Sequence, residues 1–406
     1  MGRNIPVLLV GIGGYGENYV KELLLEKKRD DFELAGVVDP YPEKSRLIGE
    51  IKKRNIPIYS TLDEFYECSN ADYVCISSPI QYHCEQIIKV LNNSGSVLCE
   101  KPLTATVQEG RKIQKALQDT GQIVSIGYQW SFSKAIQSLK KDIIAGELGK
   151  PLRFRTMVVW PRGYSYYNRN DWAGRIKDSD GRWILDSVAG NATAHYIHNM
   201  FYITGEIIEK SSWPQIIQAE LYRANDIENY DTAAARIFTD NGVELLYLAT
   251  HASDEWVNPR FLYEFEKADV FFDQDKDCRI IARFKDGREK NYGNPYADPF
   301  EKIWITMDAV RGKCTYLCGV EAALPHVVCV NGLQEAAGIV NFPEEIIKTG
   351  KDKEWNDTVV CVEDIVDVFL DCYDKWKLPS ELKAEWANSF GEISLTGYDY
   401  FPSKQK

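Results

Sequence analysis

Gly11, Gly13 and Gly16 follow the apolar run Val7-Leu8-Leu9-Val10 and open a helix-like stretch over residues 15–25. The spacing G-x-G-x-x-G is filled by Gly11-Ile12-Gly13-Gly14-Tyr15-Gly16. Strand, glycine turn and helix, in that order, form the setting in which this spacing cradles a dinucleotide pyrophosphate. Gly11 permits the tight turn, Gly13 lets a phosphate approach the backbone, and Gly16 lets the helix pack closely on the strand. The helix N-terminus adds unpaired N–H groups and a partial positive charge. A second strand, residues 33–38, ends in Asp39, 23 residues after Gly16. An acid there accepts hydrogen bonds from both hydroxyls of the adenosine ribose. It also repels a 2′-phosphate, Pro40 and Tyr41 bring no arginine beside it, and Arg46 lies farther along. The expected cofactor is therefore NAD, with NADP the weaker candidate.

A second chemical concentration spans residues 160–172. It holds five aromatics (Trp160, Tyr164, Tyr166, Tyr167 and Trp172), two arginines (Arg162 and Arg169) and two asparagines. Aromatic faces can cover the C–H face of a sugar ring while Arg, Asn and Asp bond its hydroxyls. The same composition suits a loop buried against its own sheet or a partner subunit, and both readings stay open.

Positioning these residues requires alternating strands and helices over residues 1–128. Helices are expected over residues 42–53, 62–67, 83–91 and 106–117. Strands are expected over residues 56–59, 72–76, 96–100 and 123–128. This βαβ rhythm is that of a Rossmann-type, doubly wound parallel sheet, an α/β fold whose ligands lie beyond the carboxyl ends of the strands. That rule gathers residues 11–16, Asp39, Ser78 and Pro79, Glu100 and Lys101, and Tyr128 around one crevice. Residues 133–145 read as a linking helix. After residue 151 the texture changes to strands joined by short turns such as Asp240-Asn241-Gly242, which implies antiparallel neighbours. The second domain, residues 129–406, is expected to be α+β with a largely antiparallel open sheet. Helices are expected over residues 191–204, 299–310, 323–340 and 362–375. With so few helices for cover, one apolar sheet face should need a partner, giving a homodimer or homotetramer.

The 406 residues carry a net charge of −12, which argues against nucleic acid as a main partner. No run of about 18 apolar residues suggests a membrane span. The ten cysteines are scattered, several within apolar runs, as free thiols in a reducing compartment would be. With a strand beginning at once and no room for a secretory signal, a cytoplasmic protein is expected. Cys314 and Cys318 are the only close pair, and His195 and His198 lack a third ligand of suitable spacing, so no metal is expected.

Beyond the glycine motif and Asp39, Ser77-Ser78-Pro79 leads to His83, followed by Glu100-Lys101-Pro102, Gly127-Tyr128-Gln129-Trp130 and a histidine helix at His195. In this order the residues resemble the Gfo/Idh/MocA oxidoreductases, which include glucose–fructose oxidoreductase and inositol dehydrogenase. The likeness is close for residues 5–150, fair to about 260 and thin beyond. It implies NAD or NADP bound in the Rossmann domain, with Ser78, Pro79, His83, Glu100, Lys101 and Gln129 near it, and a sugar, polyol or related ring as substrate. The family's Glu-Lys-Pro lysine falls on Lys101, whose charge would favour an alkoxide as hydride leaves. Its Asp-x-x-x-His pattern falls on Asn191 and His195, with His195 suited to general-base work. Asn191 cannot ionise, and Asp186, nine positions before His195, offers a replacement carboxylate. Tyr128, Trp160, Arg162, Tyr164, Asp186, Asn191 and His195 are the expected substrate contacts. Two other activities fit the same scaffold: a hydrolase or lyase that oxidises its sugar transiently with NAD, and a non-enzymatic nucleotide-sensing regulator.

Overall fold

The computed structural model describes residues 4–26, 28–118 and 120–403. Uninterrupted apolar runs make the first sheet. Strands β1 (Ile5–Val10), β2 (Phe32–Val38), β3 (Ile58–Tyr59), β4 (Tyr73–Ile76), β5 (Ser96–Cys99) and β6 (Val124–Ile126) are all parallel, in the order β3-β2-β1-β4-β5-β6. Val7, Leu8, Leu9 and Val10 are each at most 2% exposed, as expected where helices cover both faces of a parallel sheet. Thr61 accepts from the Glu64 N–H and caps helix Leu62–Cys68. Thr106 and Glu109 form a capping box on helix Val107–Leu117, fixing the chain just after Lys101. The helix expected over residues 42–53 is broken. Pro42–Lys44 forms one tight turn, Ser45 is extended, and the helix restarts as Ile48–Lys53. At the break Glu17 takes both the backbone N–H and the guanidinium of Arg46.

The second sheet comprises β7 (Pro151–Val159), β8 (Pro214–Arg223), β9 (Thr232–Thr239), β10 (Glu244–Thr250), β11 (Val257–Phe265), β12 (Ala268–Asp273), β13 (Ile280–Phe284), β14 (Glu289–Gly293) and β15 (Ile339–Asn341). After a hairpin of β16 (Ile347–Lys351) and β17 (Thr358–Val362), β18 (Gly391–Ser394) returns to pair with β8. The order is β14-β13-β12-β11-β7-β10-β9-β8-β15. It is antiparallel except where β10 meets β7 and β15 meets β8. Both exceptions join strands separated by long connections, which short-turn reasoning does not reach.

The sheet face expected to be bare is covered in part by the chain itself. Helix Ile365–Lys375 and the segment after it set Phe369, Cys372 and Trp386 against Met157, Val159, Tyr222, Leu246 and Leu248. On the other side, helix Val320–Ala336 bridges the two sheets. Asn331 on it accepts from the Val107 N–H and donates to the Ala105 carbonyl. Helix Glu301–Val310 returns to the first sheet, where Ile303, Trp304 and Met307 share a core with Ile5, Val7 and Leu9. No helix among the described residues is long and apolar enough to cross a membrane.

Candidate active site

The cofactor side of the crevice is built from backbone. Gly11 turns at φ +79°, and a Cβ there would lie 2.9 Å from the carbonyl of Ser77 and the nitrogen of Ser78. A Cβ on Gly16 would come within 2.2 Å of the Gly11 oxygen. Around Gly13 and Gly14, by contrast, nothing lies within 4 Å of a Cβ, so bare backbone faces open space where a pyrophosphate is expected. Asp39 accepts from the Ile12 N–H at 2.9 Å and the Tyr41 N–H at 2.8 Å, one on each carboxylate oxygen. Each oxygen keeps a lone pair for a ribose hydroxyl. Arg46 is committed to Glu17 through two bonds of 2.8 and 2.6 Å. Open glycine backbone at a helix start, with an oriented acid on the next strand, fits a dinucleotide.

The opposite side is built from side chains. Lys101, just beyond β5, donates through Nζ to the Asn191 carbonyl at 2.8 Å and to Asn191 Oδ1 at 2.7 Å. Asn191 Nδ2 donates to Asp186 Oδ1 at 2.7 Å, and the Gly174 N–H holds Oδ2 at 2.6 Å. Burial lowers the Lys101 pKa to about 8, against the pull of Glu100 and Asp186. Burial raises the Asp186 carboxyl, while Arg169 and its hydrogen bonds oppose the rise. The helix expected over residues 191–204 begins only at Ala194, after a wide turn, Val188–Ala192. That break frees the Asn191 carbonyl for Lys101. It also separates Asn191 from His195, so no hydrogen bond joins the Asn-x-x-x-His pair among the described contacts.

His195 keeps a buried Nδ1 without a partner. Burial and the charges of Lys101 and Lys302 push its pKa well down. His198 does not join it. It stacks on Tyr128 at 3.7 Å and meets Ser131 Oγ at 3.0 Å through Nε2. Three residues expected to line the crevice turn inward. Tyr128 is fully buried and donates to His326 Nδ1 at 2.8 Å; His326 in turn donates to the Ala189 carbonyl at 3.0 Å. Glu100 takes the Tyr19 hydroxyl at 2.6 Å and pairs with buried Lys302. His83 sets its ring nitrogens 2.9 Å from the carbonyls of Ser78 and Pro102, and burial lowers its pKa. Ser78 Oγ donates to Gln86 at 2.5 Å. Gln129 opens the turn Gln129–Phe132. Tyr15 is 45% exposed and receives the Lys302 ammonium on its hydroxyl at 3.2 Å.

One cleft brings together Ser78, Pro79, Lys101, Asp186, Asn191 and His326, with Trp172 on its wall. Trp160 is tied to Asn258 at 3.0 Å, Arg162 is buried, and Tyr164 points to solvent, 52% exposed. Among the described residues no group of three or more His, Cys, Asp or Glu side chains is gathered to hold a metal.

Residues 5–128 match the model of an oxidoreductase family described as an NAD-binding Rossmann fold. That match is to the Gfo/Idh/MocA oxidoreductases and takes in the first sheet of this chain. Among proteins similar to it is the scyllo-inositol 2-dehydrogenase (NAD(+)) of Bacillus subtilis, 26% identical over 48% of this chain and 55% of that protein. The 2,7-anhydro-N-acetylneuraminate hydratase of Mediterraneibacter gnavus is 24% identical over 49% and 48%. The chain spans about half the length of these curated relatives. Among solved structures, the WlbA dehydrogenase from Bordetella pertussis in complex with NADH and UDP-GlcNAcA superposes with a TM-score of 0.66 at 20% identity, covering 82% of this chain and 96% of that one. UDP-N-acetylglucosamine 3-dehydrogenase GnnA from Acidithiobacillus ferrooxidans gives 0.66 at 17%, over 83% and 98%. At these identities the shared property is the fold, and it extends through both sheets.

The glycine turn follows β1 and Asp39 follows β2. The partners that sequence reasoning missed are Lys302, His326 and Arg169's link to Asp186. Lys302 lies 202 residues from Glu100, and no local pattern connects them. His326 follows Pro325 inside an apolar helix and reads there as core.

Proposed function

We propose that the protein is an NAD-dependent oxidoreductase that moves a hydride between nicotinamide and a carbinol carbon of a sugar, polyol or related carbohydrate. The observation that carries this reading is the placement of Lys101. Its ammonium stands at the carboxyl end of β5, on the same edge of the sheet as the open glycine backbone after β1, and is aimed by Asn191. A bound nicotinamide supplies hydride acceptance or return. Hydride leaves a carbinol carbon only as the O–H proton departs, so the protein must hold that oxygen and move that proton. A lysine titrating at about 8 does both near neutral pH, taking the proton as amine and giving it back as ammonium. Asp186 fixes Asn191, and Asn191 fixes Lys101. His195, held neutral, offers a hydrogen bond to a substrate hydroxyl rather than a stabilised imidazolium. Trp172 lines the cleft beside Lys101 and Asn191. Asp39, with Arg46 occupied, favours NAD over NADP.

A second reading has its own support, because one of the similar proteins is a hydratase by name. In it the sugar is oxidised, loses or gains a group beside the carbonyl, and is reduced again. A panel of sugars and polyols, followed at the absorbance of reduced cofactor, separates the two. Stoichiometric NADH marks a dehydrogenase, and turnover without NADH marks the redox-assisted route. No turnover and no NADH with any carbohydrate would sink both.

The assembly proposed is a homodimer or homotetramer. Beyond helix Ile365–Lys375 the outward row of β11, β12 and β13 still shows half-buried Leu262, Phe271 and Ile281. A monomer by light scattering at micromolar concentration would refute it. Ten unpaired thiols suit the cytoplasm.

A further inference from the structure

We infer that Arg162, Arg169 and His251 form a receptor for a carboxylate on the substrate, so that the preferred carbohydrate is a sugar acid. This rests on the oxidoreductase reading for what happens to the substrate, and not for whether the acid binds.

Arg162 is 8% exposed. A charged group buried that far is normally paired with an acid. Its neighbours here are instead ring faces: the guanidinium carbon lies 5.5 Å from the Trp160 centroid, 5.1 Å from Tyr166, 5.8 Å from Trp256 and 4.8 Å from Trp355. One arm, Nη1, donates to the Pro161 carbonyl at 2.8 Å, while Nε is buried without a partner. The ionisable groups that bear most on it are Tyr166, which also shares a hydrogen bond with it, Tyr167 and a second cation, Arg169. Arg169 lies over Tyr166 at 3.7 Å and Trp172 at 5.0 Å, its Nη1 on the Tyr166 carbonyl. Among the described residues neither arginine forms a salt bridge, although Arg169 is exposed and its charge also bears on Asp186.

His251 completes the group. Its Nδ1 lies 2.7 Å from the Trp160 carbonyl, so that nitrogen carries the hydrogen. Nε2 is then a bare lone pair, buried and unpartnered, with the ring 5.9 Å from Tyr166. Arg162 buried without an acid, Arg169 at the surface beside it and an unfilled acceptor on His251 are together what an acid with a neighbouring hydroxyl satisfies. The carboxylate takes the arginine donors and the hydroxyl donates to Nε2. A carboxylate is planar and matches a guanidinium fork edge to edge. Trp172, over which Arg169 lies, also lines the cleft that holds Lys101, Asp186 and Asn191, which sets the acid end next to the reacting end. The loop is also anchored. Ser165 bonds Asp357 through its N–H and hydroxyl at 3.0 and 2.6 Å. A Cβ on Gly163 would meet the Thr358 carbonyl at 2.3 Å. The receptor is thus pinned to the β16–β17 hairpin before any ligand arrives.

The test titrates the NAD-loaded protein with glucuronate, galacturonate, glucose and glucose 6-phosphate, reading tryptophan fluorescence and NADH together. A uronate should bind about ten-fold or more tighter than glucose. That preference should collapse in Arg169→Gln, an exposed position whose replacement leaves the fold intact, and in Arg162→Gln. Equal binding of glucose, or an undiminished preference in Arg169→Gln, overturns the receptor, and tighter binding of glucose 6-phosphate overturns the carboxylate assignment. Saturable uronate binding without NADH supports the receptor while removing the dehydrogenase reading.

Discussion

The two walls of the crevice are made differently. The glycine turn and Asp39 form a cradle built largely from backbone within a span of 29 residues, from Gly11 to Asp39. Its selectivity comes from where a Cβ will and will not fit. Elsewhere in the crevice side chains converge: Lys101 at the end of β5 meets Asp186, Asn191 and His326, with Trp172 of the 160–172 loop on the wall. A backbone cradle tolerates drift in its surroundings but no change at its glycines. A side-chain wall can be rewritten one residue at a time, which suits a scaffold that keeps one cofactor while its substrates vary.

The sharpest way to break this comparison is at Lys101. Lys101→Met should lower kcat by about 10²- to 10⁴-fold and leave NAD binding, measured by calorimetry, nearly unchanged. In the wild type, carbinol oxidation needs the neutral amine. With a pKa of about 8, kcat for oxidation should rise with pH up to and through about 8, and reduction should fall over the same range. His195→Ala should cost less, about ten-fold, and keep that limb. If the limb vanished in His195→Ala and survived at Lys101, the proton would belong to the histidine.

The cradle predicts a split between two glycines close in sequence. Gly16→Ala forces a Cβ against the Gly11 carbonyl and should destabilise the fold by about 3 kcal/mol, read as a lowered denaturation midpoint. Gly13→Ala meets open space, so stability should hold while NAD affinity drops. Equal melting of the two variants would remove the steric account. Asp39→Asn should weaken NAD by about ten-fold and narrow its margin over NADP in parallel titrations. The smallest effect is expected from Asn191→Asp. An anion beside the ammonium favours its charged form, so the oxidation limb should move above pH 8. A limb that stays in place would show that Asn191 positions Lys101 without tuning it.

Legibility followed the same division. The glycine turn, Asp39 and the alternating elements of residues 1–128 were readable because each is a local pattern with a period or a fixed spacing. Lys101 and His195 were readable through resemblance alone. The contact between Asn191 and Lys101 was not, since it depends on a helix starting late at Ala194, and nothing in Val188–Ala192 announces a wide turn. Tyr128 and Glu100 were placed in the crevice by their position after strands. Their inward turn depends on His326 and Lys302, which arrive from the far end of the chain. The open sheet face was over-read for the same reason, because helix Ile365–Lys375 reaches back across more than 100 residues to cover it.

Helix Glu301–Val310 has a consequence for how the molecule is made. The first sheet is encoded by residue 126, yet one of its faces is sealed by Ile303, Trp304 and Met307. Its buried Glu100 receives Lys302 from the same helix. During synthesis the nucleotide-binding half therefore waits, with an apolar flank uncovered and an acid unmatched, until some 180 further residues have left the ribosome. A fragment ending at the boundary between the sheets would carry that flank permanently and should aggregate. Excised as a module, this half would need the 301–310 helix supplied in trans or grafted onto its end.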